Sequence, residues 1–312
     1  MRTSQNPVRP GIALFCLFAA VLCAPRITHA QYDQPLVSED TLTRVSDHVY
    51  ALVGFPNIGI VVGSRATLVV DTGLGARNGA TVVRVTQKLA KGPLLYLTTT
   101  HYHSEHTTGE QAFPPGTVLI RSAVQQQEMD KGLPAHMERF RNMSAQNKDL
   151  LQNVKLRAPD ILFDREMKLD LGGVTARLFW LGAGHTKGDE LVFVEEDSVL
   201  LPGDLVQSKL FPMMPDENAS MKNWLTILDQ LAPLHARLVV PDHGSLGDGS
   251  LIAKEHAILT ELQQRALDFK RRGVPVEDAG RELTSQLHAK YPDWGNYVNI
   301  PNAVKRVYAE AD

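Results

Sequence analysis

The chain has 312 residues, 43% of them apolar and 21% charged, with 23 Gly and 18 Pro, which excludes collagen-like, coiled-coil and disordered classes. Its 32 basic residues nearly balance 35 acidic ones, the formal net charge is -3, and no run of like charges occurs. A nucleic-acid binder needs a basic patch or tail, so no nucleic-acid partner is expected.

Arg2 and Arg9 precede an apolar run from Ile12 to Ala24, and Thr28 and Ala30 suit the two positions before a cleavage point. Basic start, apolar middle and small end predict a secretory signal over residues 1–30, cut after Ala30. The apolar run is short for a permanent span, so no stable membrane anchor is expected. The expected product is a single domain over 31–312, periplasmic or secreted. Cys16 and Cys23 both lie in the signal, which leaves no disulfide framework, thiolate ligand or Cys nucleophile. Losing Arg2, Arg9 and Arg26 leaves 29 basic against 35 acidic residues, a mildly acidic, soluble balance.

Strands are predicted at 49–53, 58–62 and 66–70, the last running into Asp71-Thr72-Gly73. Residues 78–90 have helical spacing, and the β-rich run 94–99 leads to His101. A strand at 118–121 is followed by polar, helical-looking sequence to about Asn153, read as a solvated insertion over the core. Further strands are predicted at 167–171, 174–181, 191–195, 198–201 and 238–241. Helices are predicted at 224–231, 250–270, 276–290 and 303–309. Mixed strands with outer helices predict a layered α/β domain.

His101-Tyr102-His103-Ser104-Glu105-His106 places four potential ligands in six residues after an apolar strand. In extended chain, residues two apart project to one side, so His101 and His103 can share an ion. A following helical turn points Glu105 and His106 to a neighbouring position. Without a cation, such clustering crowds polar groups that need partners. His185 in Gly-Ala-Gly-His-Thr, Asp204 in Leu-Pro-Gly-Asp and His243 in Pro-Asp-His-Gly each end a β-rich run. Imidazole and carboxylate suit zinc, and also iron or manganese.

These motifs, in this order from about Val49 to His243, resemble the metallo-β-lactamase superfamily. The resemblance implies a four-layer αβ/βα sandwich with one or two Zn2+ ions at one edge. It implies His101, His103 and His185 for the first metal, and Glu105, His106 and His243 for the second. Asp204 bridges or completes the second site, and Asp71 orients the His motif from behind. Glu105 departs from the family motif H-x-H-x-D-H. It is one methylene longer than Asp, so the ion or the backbone must adjust. Asp204 stands where one lactamase group has Cys, which resembles the glyoxalase II-like hydrolases more.

Zinc lowers the pKa of bound water from about 15.7 to about 7, which predicts hydroxide attack on an acyl carbonyl. Glu105 and Asp204 are the predicted catalytic acids and bases. The expected partner is a small molecule with an acyl bond. A β-lactam leads, because export brings the enzyme where such drugs act. The alternatives are lactone or thioester hydrolysis, a non-catalytic metal-binding accessory protein, and a di-iron oxidoreductase. Phe55, Pro56 and Ile58 are read as a flap or a plain hairpin tip, and residues 210–214 as a cleft wall or covering loop. Lys187 and Asp189 are read as solvated surface, and Ser104 and Ser245 as turn or cap serines. His48, His136, His235, His256 and His288 lack ligand-like company and are read as structural or surface. Trp180, Trp224 and Trp294 are read as packing residues.

Overall fold

The computed structural model describes Met1 and residues 36–214 and 217–311; the expected signal, save Met1, and both cysteines lie outside the described residues. One sheet runs in chain order: β1 (Leu42–Arg44), β2 (Val49–Leu52), β3 (Ile58–Val62), β4 (Ala66–Val70), β5 (Leu94–Thr98), β6 (Val118–Ser122) and β7 (Ile161–Phe163). Strands β1 to β4 pair antiparallel, and β4 to β7 pair parallel. A parallel pair needs a crossover, which α1 (Gly75–Leu89) supplies between β4 and β5. The other sheet has the order β13 (Gly247–Asp248), β12 (Leu238–Val239), β11 (Val199–Leu201), β10 (Glu190–Val194), β9 (Thr175–Trp180), β8 (Glu166–Asp170). Its parallel pair, β11 and β12, is connected through α5 (Met221–Leu231).

Strand alternation sorts the core into layers. Ile58, Ile60, Val62 and Val69 face Val82 and Val83 of α1. Val61, Leu68 and Val70 turn the other way and meet Leu178, Val192 and Leu201 of the opposite sheet. That sheet's outer face carries Leu191, Phe193 and Leu200. It packs on α5, α6 (Ser250–Arg271), α7 (Val276–Lys290) and α8 (Ile300–Glu310). The result is helix, sheet, sheet, helix, the four-layer sandwich expected. The two sheets come so close at Gly59 that a Cβ there would lie 2.0 Å from Leu201 Cδ2. Only glycine fits that approach.

The middle region departs from its reading as a solvated insertion. It forms α3 (Ala123–Met143) and α4 (Ala145–Leu150). Ser122 and Ser144 cap them, accepting from Gln125 N at 3.2 Å and Asn147 N at 3.1 Å. Met129 and Leu133 of α3 are buried against Tyr102, inside the His motif. This helix therefore covers the edge where the motif lies. Strands β1, β7 and β13 are two or three residues long, too short for any period to register.

Four of the singled-out acids and histidines follow strand ends: Asp71 after β4, His101 after β5, Asp204 after β11 and His243 after β12. These are carboxyl ends of parallel-paired strands, where open sheets leave a crevice. No helix among the described residues is long and apolar enough to cross a membrane.

Candidate metal centre

His103 has extended backbone and heads a one-turn helix, α2 (Ser104–Thr107), that carries Glu105 and His106. The extended step puts His101 and His103 on one side, and the turn swings the next pair to an adjacent place. His101 Nε2 and His185 Nε2 lie 3.0 and 3.3 Å from His103 Nδ1. A tetrahedral zinc with bonds of about 2.0–2.1 Å keeps neighbouring nitrogens about 3.3 Å apart. Glu105, His106 and His243 form a second buried group, with one ligand atom each within 4.8 Å of the others. Asp204 lies between the groups, with Oδ2 3.4 Å from His185 Nε2 and Oδ1 3.3 Å from His243 Nε2.

The residues present fit a metal. His106 Nε2, Glu105 Oε2 and Asp204 Oδ1 are buried and find no hydrogen-bond partner among the described residues. An unmet buried polar atom costs about 1–3 kcal/mol, and a cation removes that cost for each lone pair it receives. Burial holds His101, His103 and His243 well below the ordinary imidazole range, and the neighbouring imidazoles add to this. Burial also lowers His185, to about 4, so these four rings are neutral, the form that ligates. His106 differs: burial opposes its charge, but Asp71 and Asp242 outweigh it and raise the ring well above the usual range. Burial pushes Glu105 and Asp204 upward. It raises Asp242 to about 7, with Asp71 adding to the effect.

Ring orientation is fixed from behind. His185 Nδ1 lies 2.7 Å from the Met213 carbonyl, which only accepts, so Nδ1 carries the proton and Nε2 the lone pair. Asp71 has φ 70, the left-handed region, at a non-glycine residue. Its carboxylate accepts from Thr100 N at 2.7 Å and lies 3.1 Å from His106 Nδ1. His106 Nε2 is thereby turned to the centre. Asp71→Asn is expected to weaken metal binding about 10–100-fold with the fold retained. Competition with a chromogenic chelator, beside circular dichroism, measures it.

Several residues sit elsewhere than the sequence suggested. Asp189 is buried, not solvated. It accepts from Thr186 N and Gly184 N, both at 3.0 Å, and closes the loop that carries His185. Lys187 is exposed. His136 has ligand-like company after all: its ring stacks on His103 at 4.0 Å and 8°. It also groups with His103 and Glu105. Parallel rings direct their lone pairs in parallel planes, and both its nitrogens are engaged. One lies 2.9 Å from Ser104 Oγ, and the other is 2.8 Å from Arg139 Nη2. His136 therefore braces His103. Ser104 contacts that brace rather than capping α2, whose N-cap is His103. The sequence signal was the i, i+3 spacing of His136 and Arg139 on α3. Asp242, which the motif next to His243 does not single out, groups with His101, His106 and Asp204. The Phe55 ring lies 4.1 Å from that of His243. Asn57 N donates to Asp242 O at 2.7 Å, tying the hairpin tip to the centre.

A family model of the metallo-beta-lactamase superfamily matches residues 51–243. A metallo-beta-lactamase type 2 from Bacteroides fragilis is 25% identical over 116 residues, 36% of this chain and 47% of that protein. The chain thus spans about half the length of the curated relative it matches. Among solved structures, a metallo-beta-lactamase from Pontibacter korlensis superposes with TM-score 0.57 at 21% identity, covering 70% of this chain and 98% of that one. A stereoselective inverting sec-alkylsulfatase from Pseudomonas sp. superposes with TM-score 0.67 at 16% identity, covering 86% of this chain and 50% of that one. The layered fold, the buried His and carboxylate cluster and the family match over more than half the chain agree: this protein belongs to the metallo-beta-lactamase superfamily.

Proposed function

We propose that this chain is an exported, zinc-dependent hydrolase that opens an acyl bond, with a β-lactam as the leading substrate. The observation that carries the reading is the pair of ligand groups, His101/His103/His185 and Glu105/His106/His243, with Asp204 between them. Zinc held there supplies a Lewis acid and makes water acidic near neutral pH. Thr100, Asp71 and the Met213 carbonyl keep the imidazoles aimed. Asp204, between the two groups, and Glu105, in the second, would orient the attacking water and accept its proton. The order of the first thirty residues supports export to the periplasm or medium.

Arg139 bears on the substrate. Its guanidinium lies 2.8 Å from His136, its charge reaches Glu105 and His185, and the residue is exposed. An exposed arginine whose charge reaches the centre suits an anionic group beside the scissile bond. Penicillins and cephalosporins carry such a carboxylate. Arg139→Gln is expected to raise KM for a cephalosporin by about tenfold, one charge-assisted hydrogen bond, with kcat nearly unchanged. Equal kinetics in the variant count against the assignment.

The second reading, lactone or thioester hydrolysis, is favoured by Asp204 in the position where one lactamase group has Cys. Hydrolysis of a chromogenic cephalosporin by the zinc-loaded chain, with a chelator control, separates them. Chelator-sensitive turnover is expected. No turnover with two ions bound overturns the β-lactam reading and leaves lactones and thioesters.

A further inference from the structure

Outside the centre, two residues with buried acceptor oxygens line one pocket. The pocket has a volume of about 270 Å³ and lies between the segment leaving Asp204 and helix α6; Gln207, Leu251, Lys254, Glu255 and Trp294 are among its walls. Glu255 is 2% exposed and Gln207 4%. Glu255 Oε2 accepts from Gln207 N at 3.1 Å. Glu255 Oε1 and Gln207 Oε1 find no partner among the described residues. Glu255 and Trp294 lie beyond residues 51–243, so the family match does not account for them.

We propose that this pocket binds a small primary amine. An ammonium has three donors and no acceptor, the complement of two orphan acceptor oxygens. One carboxylate is too few for a calcium-type site, which takes six to eight oxygens, roughly, with several acids. Leu251 and the Trp294 indole supply an apolar wall for a short alkyl chain, and an aromatic face also attracts a cation. Two lysines also line the pocket: the Lys209 ammonium is held by Asp293 at 2.6 Å, and the Lys254 charge acts on Asp248. Burial raises the Glu255 carboxyl to about 8. A cationic partner offsets that cost, and the proton then resides on the amine. Gln207 is three residues from Asp204, and Ser208 N donates to the His243 carbonyl at 3.3 Å, so the pocket adjoins the metal centre's scaffold.

Two probes with the same isoamyl group test this on the full zinc-loaded protein: isoamylamine, and 4-methylpentanoate as the acid without the amine. Trp294 fluorescence and the melting temperature are the readouts. Isoamylamine is expected to change Trp emission saturably and raise the melting temperature, while the acid does neither. Glu255→Gln, folded by circular dichroism and with unchanged metal content, is expected to weaken the amine response at least about tenfold, the loss of one charge-assisted contact. Gln207→Leu carries the same expectation should Glu255→Gln not fold. No amine response in the wild-type protein, an equal response to the acid, or an amine response kept in Glu255→Gln overturns the proposal.

Discussion

His103→Ala is expected to empty the first ligand group and reduce hydrolysis to background. His103 Nδ1 stands 3.0 Å from His101 Nε2 and 3.3 Å from His185 Nε2, so it is the shared corner of that group. Two imidazoles then remain where a structural or catalytic zinc site takes three or four protein ligands. The loss is expected to exceed the roughly 10–100-fold that a ligand-orienting residue costs. The variant also unstacks His136, which loosens the contact that holds Arg139. A fall in bound zinc per chain, measured by elemental analysis, together with lost turnover in a folded protein meets the expectation. Full zinc content with undiminished turnover removes the assignment of the first site.

The part of the molecule that was legible in the sequence is the part governed by short-range patterns. Strands β3, β4 and β10 are buried at every position, so they stand out as apolar runs. The His motif concentrates its ligands in six residues, so local geometry alone groups them. Asp204 and His243 each follow a strand end beside a glycine, and His185 follows a glycine in the loop between β9 and β10. What escaped depends on long-range contact. Helix α3 reads as polar because only Met129, Leu133, His136 and Phe140 among its later residues face inward. Nothing local announces that it lies across residue 102. The contact of His136 with His103 spans 33 positions, and that of Glu255 with Gln207 spans 48. Asp189 reads as surface because an acid between Gly and Glu does so by composition. Its burial follows from the three donors of residues 184 and 186 that wrap it.

Arg121→Met is expected to destabilise the protein by about 3–5 kcal/mol, the effect of removing one partner of a buried ion pair. Arg121 on β6 and Glu110 are both 0% exposed, and their side chains are in direct contact. The same guanidinium donates to Thr99 Oγ at 3.3 Å and Gln126 Oε1 at 3.1 Å. A methionine fills much of the volume but leaves Glu110 charged, dry and without its cation. For a domain of this size about 2–4 °C of melting temperature accompany each kcal/mol, so a fall of about 10 °C is expected by thermal unfolding. Pairing it with Glu110→Leu removes the stranded charge, and the double variant is expected to regain most of the loss. The location gives the pair a second consequence. Thr99 precedes His101 by two residues and Glu110 follows His106 by four, so Arg121 clamps both ends of the metal-binding stretch to β6. The single variant is therefore expected to bind zinc more weakly as well as to melt earlier. The double variant is expected to regain stability but not affinity, because the Arg121 contact to Thr99 stays lost. Equal recovery of both would show that the clamp acts only through global stability.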